Sequence, residues 1–176
     1  SPTMTLAVLP FTYLGDDTEG EYFSDGVTDE ILTALMRVEG LRVASRLSTR
    51  PFRNKPVDLA SIRAALHVKS VLDGSVRRWE RGLRITARLT DADTGQQLWA
   101  QSYDGHVTDM FRVQGQIASA IVSALRPTLA TPAPLIRHHT NDPEAYNLYL
   151  KGRYHWNKRP RETLKGLAYF EQAIKR

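Results

Sequence analysis

The sequence predicts an α/β (α+β) domain, a mixed sheet of about five strands with about three helices, followed by a helical hairpin. Three observations carry that prediction: a short apolar run near the amino end, apolar stripes at helical spacing, and three alternating runs separated by turn signals. At 176 residues the chain has room for one well-buried core and a partial second unit, since a domain takes roughly 100–200 residues.

Leu6, Ala7, Val8 and Leu9, ended by Pro10, read as a buried strand that stops where the ladder donor is lost. An acidic loop is expected over residues 15–21. A first helix is expected over residues 22–39, because Val27, Ile31, Leu32, Leu35, Met36 and Val38 recur at helical spacing, with Ser24 or Asp25 as amino cap and Gly40 as stop. Residues 41–45 alternate as a strand. Residues 48–56 read as a loop punctuated by Pro51 and Pro56, and Asp58 caps a helix that carries Leu59, Ile62, Ala65 and Leu66 on one side. The order so far is βαβα.

Residues 68–79, 83–91 and 97–103 then form three strand-like runs, with turn signals at 80–82 and 93–95, and so predict an antiparallel meander. In the middle run Leu83, Ile85, Ala87 and Leu89 point one way and Arg84, Thr86 and Arg88 the other, which predicts one covered and one polar face. A third helix, residues 107–129, places Met110, Phe111, Val113, Ile117, Ile121, Val122 and Leu125 on one stripe before Pro127. The expected organisation is a domain over 4–130, a semi-rigid linker over 131–141 with two prolines, and a hairpin over 142–176. Asp142 is the cap of its first helix, Pro143 sits at the first helical position, and a second helix begins near Pro160. The chain starts at a strand edge and ends inside a helical pattern, so it reads as a piece of a longer protein.

Charge is segregated along the chain. Residues 1–30 hold seven acids and no Lys or Arg, whereas residues 31–136 hold fifteen basic and eight acidic side chains, and residues 137–176 hold nine and four. The acidic amino end and basic hairpin therefore offer surfaces of opposite sign that can dock. With no cysteine, disulfides, thiol nucleophiles and thiolate metal sites are excluded. Gly15 and Gly20 have phosphate-loop spacing, but Glu21 and Tyr22 stand where Lys and Ser or Thr are needed.

The acids from Asp16 to Asp29 fit no calcium loop and are expected to be solvated or to face the helix dipole. His138 and His139 are adjacent, so their side chains diverge. No catalytic residue, cofactor site or metal site is expected. The partner-binding candidates are Arg77, Arg84 and Arg88 on the sheet, near Trp99 or Tyr103, and Tyr149, Arg153 and Trp156 on the hairpin. A protein partner is expected, membrane insertion is not, and self-association is left open. Nucleic acid is not expected through this chain, since no helix-turn-helix is visible.

Several ordered motifs carry a family resemblance: Ala7 to Phe11, Tyr22 to Ile31, Val71 to Arg77, Arg84 to Leu89, and Thr94 to Trp99. Together they resemble the TolB-like amino-terminal domain over roughly residues 4–130. The tail resembles a tetratricopeptide unit, with Leu148, Gly152, Phe170 and Ala173 at its packing positions, although Lys151 stands where leucine is usual and the turn is lengthened. The resemblance implies a non-catalytic interaction or sensory module of a bacterial regulatory protein whose winged-helix, nucleotide-cyclase or kinase output domain lies elsewhere, on either side of the membrane. Two alternatives are an envelope-assembly component of Tol type and a nucleic-acid or nucleotide-binding domain.

Overall fold

A computed structural model describes residues 4–125, 142–158 and 163–176. The predicted linker, Pro127, His138 and His139 lie outside the described residues. The elements run β1 (Met4–Val8), β2 (Thr12–Tyr13), α1 (Thr18–Met36), β3 (Leu41–Val43), α2 (Arg46–Thr49) with a 3-10 turn (Arg50–Phe52), α3 (Leu59–Leu66), β4 (Ser70–Trp79), β5 (Gly82–Asp91), β6 (Gln97–His106), α4 (Met110–Leu125), α5 (Pro143–Lys158) and α6 (Thr163–Ile174). The predicted mixed α/β class is therefore present.

The sheet has the order β3-β1-β4-β5-β6, with β2 pairing alongside β4. β1 is parallel to both β3 and β4, and β4, β5 and β6 form the antiparallel meander. Alternation on the middle strand holds: Leu83, Ile85, Ala87 and Leu89 are fully buried. On that face they meet Val27, Ile31 and Leu35 of α1 and Met110, Val113, Ile117 and Ile121 of α4, all in one core. Tyr146 and Leu150 of α5 belong to the same core. The opposite face is covered at one end, where Ile62 of α3 packs with Ala7, Leu9, Val71 and Ala92.

Two glycines are dictated by close approach. A Cβ on Gly74 would lie 2.3 Å from the Thr86 carbonyl oxygen and 2.6 Å from the Phe11 ring, and one on Gly26 would lie 2.4 Å from Leu150. The second vacancy is what lets Leu150 press onto α1 and become buried.

The start of α1 differs from expectation. The helix begins at Thr18, and Asp17 is the cap, its carboxylate accepting from the Gly20 N–H at 2.7 Å. Ser24 and Asp25 instead lie inside the helix and are buried. The acid-rich stretch was expected to be a loop, yet its carboxylates sit at the positive end of a helix, where they stabilise it. Ser24 Oγ donates to the Phe11 carbonyl at 2.8 Å, and the Phe11 N–H donates to Thr28 Oγ1 at 3.0 Å. These two bonds satisfy a backbone that Pro10 has taken off the ladder. Met36, predicted on the apolar stripe, is 59% exposed because the helix ends there.

Candidate ligand cleft at the strand ends

From β1 the chain passes through α1 to β3 on one side, and from β3 it passes through α2 and α3 back across to β4 on the other. The two crossovers leave β1 and β3 in opposite directions and lie against opposite faces of the sheet. A crevice must open between them at the carboxyl ends of the strands, and ligands of open α/β sheets bind at this kind of switch point.

A cleft of about 350 Å³ opens there. Its floor is Val8 and Pro10 at the end of β1, one wall is Glu21, Asp25, Thr28 and Leu32 of α1, and the other is Arg46, Thr49, Arg50, Arg53 and Asn54. Tyr154 of α5 contributes the remaining side.

The arginines come from one short segment. Ser45 caps α2 by accepting from the Ser48 N–H, and the turn continues through Arg50–Phe52, so positions 46, 50 and 53 fall on one side of a continuous coil. Asp25 and Asp29 stand one turn apart on α1 and face them. Arg53 donates to Asp25 at 2.7 Å, and Arg46 pairs with Asp29. Both carboxylates are about 5% exposed, and burial of that depth is sustained only by such partners. The acids expected to be solvated are therefore internal counter-charges.

Burial holds the Arg46 guanidinium below its ordinary pKa, and the like charges of Arg153, Arg50 and Arg53 add to this. Arg53 goes the other way: burial opposes its charge, but the hydrogen bond and charge of Asp25 outweigh that and raise it.

α5 closes the far side. Arg153 reaches Asp29 at 3.3 Å and Glu30 at 3.4 Å, and Lys151 reaches Glu19 at 2.6 Å. Tyr154 stacks edge-on against Tyr22 with ring centroids 4.4 Å apart, and the Arg53 guanidinium lies 5.9 Å from its ring centre. Gln114 of α4 donates to the buried Tyr146 hydroxyl at 3.2 Å. Burial pushes that phenol well above its usual range, with the charge of Glu30 adding to it.

The sequence candidates fall in two places. Arg77, Arg84 and Arg88 lie on the open part of the sheet, where Arg84 grips Asp104 through a fork of 2.6 and 2.9 Å and Arg88 donates to Asp73 at 2.6 Å. Arg77 stands opposite Arg84. Trp99 pairs with Leu89 and Tyr103 with Ile85, and both aromatics pack towards the core. The pleat thus places them on the other side of the sheet from the arginines.

Tyr149 and Arg153 lie on α5 across the sheet from that face; the Arg153 guanidinium sits 5.7 Å from the Tyr149 ring centre. Trp156 is on α5 as well. Arg46, Arg50 and Arg53 were missed because two prolines made their segment read as a loop. The 46, 50, 53 spacing against Asp25 and Asp29 was the signal available.

No family model matches the chain. A curated protein named "Putative adenylate cyclase 3", from Rhizobium meliloti (strain 1021), is 40% identical over 151 residues, which is 85% of this chain and 26% of that protein. The chain thus spans about a quarter of the curated relative it matches. Among solved structures, TolB from Acinetobacter baumannii superimposes with a TM-score of 0.52 at 18% identity, over 71% of this chain and 29% of that one. The α/β part therefore has a TolB-like fold. Lipoprotein GNA1162 from Neisseria meningitidis gives a TM-score of 0.48 at 18% identity, over 68% of this chain and 96% of that one. Among the described residues no helix is long and apolar enough to cross a membrane.

Proposed function

We propose that this chain is a non-catalytic sensory or protein-interaction module of a bacterial signalling protein, one whose output is nucleotide cyclisation carried elsewhere. The observation that supports this reading is the 40% identity along 85% of the chain to a protein named as an adenylate cyclase, of which the matched region is about a quarter. The likeness to TolB bears on architecture alone. Within this reading the domain receives a signal in the cleft, and α5, which supplies Tyr154, passes it to the hairpin. The hairpin acts as a tetratricopeptide-type unit, and Arg77, Arg84 and Arg88 with Tyr149, Arg153 and Trp156 are the residues that a protein partner would meet.

The test is cyclase activity of the whole gene product, compared with the same product lacking residues 1–176. Retained cyclisation with altered control is the expected result. Loss of an otherwise intact reaction centre with these residues, or no cyclase activity in the whole product, would remove the reading.

A further inference from the structure

We infer that the cleft at the ends of β1 and β3 binds a small oxyanion, a ligand bearing a phosphate or paired carboxylates. This rests on the sensory reading above and names the class of its signal.

The lining is rich in donors. Three guanidinium groups, Arg46, Arg50 and Arg53, line it together with Glu21 and Asp25, and Asp29 stands against Arg46. Each guanidinium carries five N–H donors in a fixed fork, of which one carboxylate takes at most two; Asp25 accepts from Arg53 and Asp29 pairs with Arg46. The buried acids therefore orient the arginines without exhausting them, and a preorganised fork is what planar or tetrahedral oxyanions fit. Asn54 adds a neutral polar side chain to the lining.

Electrostatics points the same way. Burial disfavours the charged form of Arg46; Asp25 opposes this and Arg153, Arg50 and Arg53 add to it, and an anion among the arginines relieves their repulsion. The volume of about 350 Å³ lies at the small end of ligand sites. The crevice is also where this topology places ligands irrespective of their chemistry.

The test is calorimetric titration of the 176-residue chain with inorganic phosphate and, separately, succinate, at ionic strength held constant with chloride and with glucose as neutral control. Saturable binding of at least one anion, weakened about ten-fold or more by Arg50→Gln, is expected, a loss corresponding to one charge-assisted contact. Arg53→Lys keeps the charge beside Asp25 but removes the fork, and should also weaken binding; Arg112→Gln, at an exposed position of α4, should not.

The two anion arms separate a phosphate signal from a dicarboxylate one. No saturable binding of either at about 10 mM, equal binding of glucose, or equal loss in Arg112→Gln would overturn the inference. Because this readout is binding by the chain, it can fail while cyclase control by the whole product stands, or succeed while that control fails.

Discussion

Arginines occupy two settings in this molecule. On the open sheet face Arg84 and Arg88 are more than half exposed and pair with neighbouring acids across the ladder. Between α1, α2 and α5, Arg46, Arg53 and Arg153 are about 30% exposed and converge on Asp25 and Asp29, which are almost fully buried. The short distances are alike, but the consequences are not. A solvated pair contributes about 0–1 kcal/mol because water competes for both charges, whereas removing one member of a buried group strands the other in a medium that cannot solvate it. A hydrogen-bond length alone therefore says little about which arginine the fold depends on.

Four substitutions sharpen that contrast, each read by urea denaturation. Leu150→Ala should cost most, about 3 kcal/mol, because it empties the space that Gly26 leaves for it in the α1–α5 contact. Asp29→Asn should cost about 2 kcal/mol. That is below the usual figure for a broken buried pair, because both of its arginine partners keep some contact with water. A loss as small as that of a surface pair would mean that Arg46 and Arg153 find solvent on their own.

Asp17→Ala should cost about 1 kcal/mol, the value of an amino cap. Its carboxyl is held below its ordinary value first by the Tyr13 hydroxyl and then by the Gly20 N–H, while burial and the bond to Asp17 push the Tyr13 phenol up to about 12. Since the folded pKa is depressed, this stabilisation is complete above the unfolded value of about 4 and is lost as pH falls through the folded one. The wild-type chain should therefore lose an acid-side increment that Asp17→Ala lacks. Arg84→Gln should change stability by less than about 0.5 kcal/mol, and a larger effect would erase the distinction between the two settings.

What was legible followed from periodicity. The alternation of Leu83 to Leu89 fixed which face of the sheet is buried, and Asp58 and Asp142 announced their helices as caps, accepting from Ala60 and Glu144 N–H groups respectively. What was not legible depended on partners distant in sequence. Gly20 looked like loop punctuation, yet it sits inside α1, where the Tyr13 ring lies so close that a Cβ would overlap it. Asp25 and Asp29 looked solvated, because nothing local reveals that residues 46, 53 and 153 will come to cover them. The opposite charges of the amino end and hairpin were visible in the composition. Their meeting at Glu19, Asp29 and Glu30 needed the fold.

The position of β1 has a consequence for how the chain assembles. β1, which precedes its partners in the chain, lies between β3 and β4, and its registers join Met4 to Leu41 and Leu6 to Ser70. The meander β4–β5–β6 pairs through short turns, whereas β1 must wait for partners separated from it by tens of residues, and such non-local pairings are slow. Until they form, Leu6, Ala7 and Val8, all buried in the end, remain an unpaired apolar strand, so the amino end is the segment most exposed to mispairing while the chain is still emerging.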